Sequence, residues 1–245
     1  MSENKTQISV LFSGGSDSTL AAALACEQFD TTHLLTYFHS GIPLTEKAKI
    51  NARKLSDYFG KDKIVHRFIN FEETFKQIYY TNYINDLLKY KGYMNPCFCN
   101  ACQLAMHTST ILYNLNNDIY YTCDGYKREK GHLYVFMSKE GIEKLKSLYN
   151  CFSIEYKNPV YDIPRTDWKL FEMGITTKKN VKFPHERLDF STQHHCPVGI
   201  IVNAYLMGYF FPLYGQKANL NISAKYMSEK IASSKKYIDT VYQKL

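Results

Sequence analysis

The stretch that most limits what this chain can fold into runs from Ile8 to Thr19. Ile8-Ser-Val-Leu-Phe12 is a short apolar run rich in β-formers. It enters Ser13-Gly-Gly-Ser-Asp-Ser-Thr19, and an alanine-rich segment, Leu20 to Gln28, leaves it. The order predicts strand, tight loop and helix N-terminus. Glycines at 14 and 15 let backbone N–H groups close on a ligand that a Cβ would exclude. The start of the following helix offers unpaired donors and the positive end of its dipole, which favour an anion. With hydroxyls at Ser13, Ser16, Ser18 and Thr19, the expected guest is a phosphate group. Asp17 would repel that guest unless a cation lay between them, so it is the candidate Mg²⁺ ligand.

The rest of the chain predicts an α/β fold. Strands are expected at His33–Phe38, Lys63–Phe68, Ile119–Cys123 and Asn158–Ile163. Helices are expected at Thr45–Phe59 with Thr45 as N-cap, Glu72–Lys89, Gln103–Leu115, from Ser138 to Asn150, Asp167–Met173, and from Ser223 onward. Thr176–His185 reads as a loop. Strands alternating with helices point to a doubly wound, mainly parallel sheet, whose ligands bind at the carboxyl ends of the strands. Residues 1–205 are expected to form this domain, and 206–245 a helical C-terminal extension.

Composition sets outer limits. A chain of 245 residues with 45% hydrophobic residues suits one α/β domain with a sizeable core. The sequence is read as having no uninterrupted apolar run of about 18 residues, hence no membrane span. It also has no secretory signal, and a cytoplasmic protein is expected. A formal charge of +7 suits polyanionic ligands from ATP to tRNA, although solubility alone also explains it.

The seven cysteines carry a second signal. Cys97, Cys99 and Cys102 crowd into six positions ahead of a helical run. With the helix beginning near Asn100, Cys99 would sit at its N-terminal edge, a position that favours the thiolate. Cys196 could supply a fourth ligand to a tetrahedral thiolate site, with His194 and His195 as alternatives. A structural zinc clamp and simple packing are the rival readings. Cys26, Cys123 and Cys151 fall in regular patterns and are expected in the core. His39, closing the second strand, is expected either beside a bound ligand or, equally, at the surface, His107 in helix packing, and Lys127 and Arg128 either at phosphate or on a solvated face.

Ser13-Gly-Gly-Ser-Asp-Ser18 resembles the phosphate loop of the PP-loop ATP pyrophosphatase superfamily, a Rossmann-like, HUP-type fold. Cys99-Asn-Ala-Cys102 with its helix looks like the mid-chain Cys-x-x-Cys of the PP-loop tRNA thiolases. The resemblance covers about half the chain in scattered pieces. It implies cleavage of ATP to AMP and pyrophosphate, with AMP passed to a nucleobase oxygen and sulfur then replacing that oxygen. Ser13, Gly14, Gly15, Ser16, Asp17, Ser18 and Thr19 would hold ATP and Mg²⁺, and the main chain of Phe38 would seat adenine. Cys99 and Cys102, with Asp17, would be catalytic. Cys97, Cys99, Cys102 and Cys196 would hold a [4Fe–4S] cluster or Zn²⁺. The implied partners are a nucleobase or tRNA substrate and a sulfur donor such as a cysteine desulfurase.

The chain departs from the thiolases where they carry Gly-His-x-x-Asp-Asp after the fourth strand, having Asp124-Gly-Tyr-Lys-Arg-Glu129 instead. Nitrogen transfer with structural zinc, as in 7-cyano-7-deazaguanine synthase, and a zinc-knuckle RNA-binding module are the alternatives.

Overall fold

A computed structural model describes residues 6–40, 46–90, 94–128, 135–177 and 196–243, with backbone alone at 46 and 94–96. Strand β1 (Gln7–Leu11) leads into helix α1 (Ser16–Gln28), followed by β2 (Thr31–Phe38), α2 (Glu46–Phe59) and β3 (Ile64–Asn70). Helices α3 (Glu72–Tyr79), α4 (Tyr83–Tyr90) and α5 (Met94–Asn116) precede β4 (Tyr121–Cys123), α6 (Lys139–Asn150), β5 (Glu155–Lys157) and α7 (Thr166–Glu172). Helix α8 (Pro197–Tyr205) runs through a π-helical turn at Leu206–Phe210 into α9 (Phe211–Tyr242).

The five strands form one parallel sheet in the order β3-β2-β1-β4-β5. This is the doubly wound α/β architecture that the alternation of strands and helices predicted. The chain reverses its direction of winding between β1 and β4, and the carboxyl edge at such a switch point is where ligands bind. The centre of β1 is buried on both faces, with Ile8 and Val10 in the core beside Leu20, Ala21 and Leu34.

Several sequence expectations are corrected. The helix expected over Glu72–Lys89 is two helices, broken where Asn82 takes a positive φ of 67°. The last strand is Glu155–Lys157, ahead of the expected Asn158–Ile163, where Asn158, Val160, Tyr161 and Ile163 form turns instead. Cys151 is exposed at the end of α6, whereas Cys26 and Cys123 are buried as expected. Helix α5 begins at Met94, well before Asn100. Pro96 falls within its first turn, where a missing N–H is tolerated. Among the described residues, one helical stretch, Pro197–Tyr242, is long and apolar enough by length and composition to cross a membrane, which the sequence reading had not anticipated. The proposed cap Thr45, most of the Thr176–His185 loop, and His194 and His195 lie outside the described residues.

The C-terminal helix lies along α5, joined by a buried hydrogen bond from Asn100 Nδ2 to Ser223 Oγ at 3.1 Å. Near it, Lys230 reaches Asp86 of α4 at 2.6 Å, both side chains almost wholly buried.

Two backbone approaches fix the carboxyl edge around the head of α1. Gly14, at φ +75°, lies so near α2 that a Cβ would stand 2.6 Å from Ala48 Cα. On the other flank, a Cβ at Gly125 would stand 2.5 Å from the Ser18 nitrogen. Backbone atoms cannot swing aside, so a methyl group at 125 would push the turn after β4 away from α1. We expect Gly125→Ala to lower stability by about 1–3 kcal/mol, the usual range for overpacking. Thermal unfolding checks this; a melting temperature equal to the parent's would mean that the contact is looser than described.

Candidate functional site

The residues from Ser13 to Thr19 wrap the start of α1. No side chain among the described residues caps the first turn of that helix. Its forward amides, with those of Gly14 and Gly15, form the face that a phosphate would meet. The loop holds its shape through its own hydroxyls. Thr19 Oγ1 and Ser18 Oγ donate to the Gly15 carbonyl at 2.7 and 3.2 Å, and Ser13 Oγ accepts from Gly15 N at 3.3 Å. Ser18 and Thr19 are buried, so their hydroxyls shape the loop, while Ser13 is exposed and Ser16 half-buried. Asn51 of α2 donates to the Gly14 carbonyl at 2.6 Å, a clamp that sequence reading missed.

Asp17 is half-exposed at the mouth of this loop. Thr166, at the head of α7, donates its hydroxyl to Asp17 Oδ1. Lys127 Nζ stands 3.8 Å from the same oxygen and also donates to the Pro164 carbonyl. Arg128 turns away, to Asp162 at 2.8 Å. Of the two adjacent cations, Lys127 therefore belongs to the loop's surroundings. Thr166 was invisible to motif reading because 149 residues separate it from Asp17.

The cysteines divide between two sides of α5. Residues 99 and 102 are three apart and share a helix face, while 97 lies about 200° around from 99. Cys97 is fully buried toward Asp86 and Lys230, so it does not join the other thiols as the sequence reading had expected. Cys99 and Cys102 both lie within electrostatic range of Cys196, which caps α8. Burial pushes the Cys99 thiol up to about 12, with Cys196 adding to the effect. Burial also raises Cys102. The expectation of a thiol activated by a helix N-terminus is overturned, because Cys99 lies inside α5 instead of at its edge.

His39 is buried at the end of β2, which excludes the surface reading of the two that the sequence left open. Its ring stacks on Phe75, with centroids 5.1 Å apart, and meets Phe71 edge-on. Its Nε2 stands 4.0 Å from Cys102 Sγ, and burial lowers its pKa against the opposing pull of Glu72. Phe38, one residue earlier, accepts a backbone hydrogen bond from Phe71 N through its carbonyl at 3.2 Å. Among the described residues, no three potential metal ligands already surround a single point. Cys102 and His39 are the thiol and imidazole shown in contact on this side of α5, with Cys99 and Cys196 within electrostatic range of Cys102.

A buried polar network joins this pocket to the turn after β4. Asp124 accepts from Tyr126 N at 3.0 Å, from Asn158 Nδ2 at 2.7 Å and from the Tyr156 hydroxyl. His107, wholly buried, pairs through Nδ1 with the Tyr149 hydroxyl at 3.0 Å and through Nε2 with that of Tyr126 at 3.4 Å. Its role in helix packing is as expected. Desolvation brings His107 down to about 3 and Asp124 up to about 6. Their 3.9 Å contact is therefore between a neutral ring and a carboxyl group that ionises late, and it is not an ion pair.

Comparison with known proteins finds no protein-family model and no curated protein that matches the chain. Three solved structures are similar to it. One is described as a predicted subunit of tRNA methyltransferase from Methanocaldococcus jannaschii, at 20% identity over 69% of this chain and 74% of that one, TM-score 0.40. Another is the U34-tRNA thiolase NcsA from Methanococcus maripaludis with its [4Fe–4S] cluster, at 19% identity over 93% and 73%, TM-score 0.47. The third is a 4-thiouridine synthetase–RNA complex with bound ATP, at 13% identity over 88% and 53%, TM-score 0.46. The chain thus spans about half the length of that synthetase.

The burial of Asp124 has a consequence for stability. Its native pKa of about 6 lies above the unfolded carboxyl value of roughly 3.9, so the native state holds its proton longer. Asp124 therefore contributes a loss of stability on the order of 2–3 kcal/mol as pH rises from roughly 4 to 6. His107, whose native pKa of about 3 lies below the unfolded value of roughly 6.5, contributes a gain of the same order over the same range, so the two slopes largely cancel in the parent. Urea unfolding across this range checks the slope. Asp124→Asn should remove only the carboxyl's share and leave stability rising more steeply with pH than in the parent, and an unchanged slope in that variant would assign the effect elsewhere.

Proposed function

We propose that the chain is an adenylating enzyme of the PP-loop type, which activates a nucleobase carbonyl oxygen and then replaces that oxygen with sulfur. One observation carries the reading. The glycine-rich loop follows β1, the buried Cys102–His39 contact lies at the end of β2, and these two strands are paired neighbours. A base activated on the α-phosphate would lie between a grip for pyrophosphate and a pocket of thiols.

In this reading the outer phosphates of ATP rest on the amides of Gly14, Gly15 and the first turn of α1. Asp17, oriented by Thr166, holds Mg²⁺, and Lys127 offsets negative charge beside it. Such fixed donors favour the departing pyrophosphate because they need no reorganisation as its charge develops. The base oxygen attacks the α-phosphorus, the bond to the pyrophosphate oxygen breaks, and AMP is left on the base. Sulfur then attacks the same carbon, and AMP leaves with the oxygen. Where the thiols carry no metal, Cys99 holds the sulfur as a persulfide loaded by an external sulfur donor. Its outer sulfur bonds to the carbon as AMP leaves. Cys102 then attacks Cys99 Sγ, which breaks the S–S bond, releases the thiolated base and leaves a Cys99–Cys102 disulfide for an external thiol to reduce. A [4Fe–4S] cluster or zinc ion on Cys99, Cys102 and Cys196 would supply a soft Lewis acid that keeps sulfur anionic at neutral pH, which the raised thiols alone would not. Sequence resemblance and the charge of +7 favour a base within tRNA, in the cytoplasm.

The test is product analysis with α-labelled ATP, magnesium and unmodified tRNA. AMP and pyrophosphate are expected; ADP with inorganic phosphate would overturn the reading. Asp17→Asn should lower pyrophosphate release by about 100-fold, the scale of losing one preorganised charge contact. Cys99→Ser and Cys196→Ser should keep that release within a small factor while abolishing the thiolated product. Were both partial reactions lost together in variants that remain folded, the thiols would be holding the site's architecture and not delivering sulfur.

A further inference from the structure

The positive charge of the chain is unevenly spread. Residues 46–67 carry seven Lys and Arg against three Asp and Glu, so 22 residues hold +4 of the total +7. They build α2, the turn after it and the start of β3. A groove of about 520 Å³ runs between these elements, and its polar lining is Lys49, Arg53, Ser56, Asp57, Lys61 and His66. We propose that this groove holds the backbone of a single-stranded RNA segment next to the base being modified, with Arg53 and Lys61 on its phosphates and Phe68 under one of its bases. This rests on the reading that the substrate base lies within RNA, and not on how sulfur reaches it.

Helix and strand periods build the two walls. Residues 49, 53 and 56 recur at i, i+4 and i+7, so they share one face of α2. Opposite them, β3 closes one side of the sheet, and no residue in it is fully buried, unlike the interior of β2. Ile64 and His66 of β3 line the groove, and alternation along the strand puts Phe68 on the same face. The Phe68 ring is exposed, with its centroid 4.6 Å from that of His66 and 5.9 Å from Lys49 Nζ. His66 is held through Nε2 by the Thr36 hydroxyl at 2.9 Å, and burial, with Lys49 nearby, lowers its pKa. The positive charge of the groove therefore comes from its lysines and Arg53.

Charge decides which ligand fits. Among the described residues, Arg53 and Lys61 have no ion-pair partner, and Asp57 is the one carboxylate lining the groove. The larger groove between α6 and β5, about 850 Å³, differs: Arg128, Lys146 and Lys157, three of its four cations, are already paired with Asp162, Glu143 and Glu155. A phosphate entering there would have to displace carboxylates, whereas Arg53 and Lys61 have none to give up. Position favours a nucleic-acid strand over an acidic peptide. Lys49 follows Ala48, against which Gly14 packs, so the groove opens beside the phosphate loop. Phe68 lies in register with Thr36, whose hydroxyl donates to the Phe12 carbonyl, and two strand spacings, roughly 10 Å, separate β3 from β1. Lys49 and Arg53 are one helical turn apart, roughly 6 Å, which matches the step between successive phosphates of a strand. An exposed aromatic face beside such a row of cations is the arrangement that holds single-stranded nucleic acid.

The experiment measures fluorescence anisotropy of a labelled single-stranded RNA of about 12 nucleotides, and of unmodified tRNA, with the full-length chain and no ATP, over a series of salt concentrations. Arg53→Gln and Lys61→Gln should each weaken binding several-fold and reduce the slope of log affinity against log salt by about 0.7. Phe68→Ala should weaken binding about tenfold and leave that slope unchanged. Lys146→Ala, in the other groove, should bind like the parent. Thermal unfolding of the glutamine variants, expected to match the parent's, separates a lost contact from a lost fold. Variants at 53 and 61 that bind tRNA like the parent would overturn the groove and leave RNA as the substrate; a parent that binds neither RNA would overturn both. Polyglutamate that competes as strongly as unlabelled RNA of equal charge would also overturn the proposal, by making the partner an acidic protein segment. Release of AMP and pyrophosphate is measured separately: its absence from a parent that binds RNA through Arg53 and Lys61 would sink adenylation and leave the groove standing.

Discussion

The carboxyl edge of the sheet depends on backbone packed directly against backbone at the head of α1. Gly14 presses on Ala48 of α2, and Gly125 presses on the peptide between Asp17 and Ser18. Neither contact leaves room for a side chain, so three segments distant in sequence are held at van der Waals range without any flexible group between them. The first helical turn, where an anion would be bound, is consequently fixed on two sides. Preorganised amides stabilise developing charge only if they do not move to meet it, and this packing supplies that rigidity.

The same turn that braces α1 also reaches the thiol pocket. Gly125 touches the loop, while its neighbours Asp124 and Tyr126 enter the network with His107 on α5. A charged carboxylate and a charged imidazole would each resist such burial. The network accommodates them by keeping His107 neutral and Asp124 protonated longer than usual, with tyrosine hydroxyls and Asn158 satisfying the lone pairs. Helix α5 is thereby anchored to the sheet at the end of β4, one face carrying His107 and another carrying Cys99 and Cys102.

The parts of this arrangement that were legible in the sequence are the local ones. The strand–loop–helix at residues 8–28 is announced by glycines, a β-rich run and an alanine run, all within a few turns. The start of a helix near Ser138 and the end of α2 at Phe59 follow from similarly short-range chemistry. Contacts across the chain left no such trace. Thr166 holds Asp17 over 149 residues, and Asn51 clamps Gly14 over 37. Neither belongs to a pattern, because hydroxyl and amide side chains are common and their partners are set by the sheet order. The place of His39 was left open for a related reason. A histidine closing a strand usually reaches water, but here α3 folds over it and brings Phe71 and Phe75 against its ring.

The cysteine segment shows how a small error in a helix boundary changes chemistry. Starting the helix near Asn100 would leave Cys97 and Cys99 in a loop, free to converge with Cys102, and would set Cys99 against the positive end of the dipole. Starting it at Met94 fixes all three on one rigid helix, where angular position alone decides which can meet. Two then face Cys196 and His39, and the third faces the buried Asp86–Lys230 pair. The dipole no longer favours the thiolate, and burial works against it. Burial of this kind keeps the Cys99 and Cys102 thiols protonated at neutral pH, so their position on α5 does not by itself favour the thiolate that the loop placement would have given.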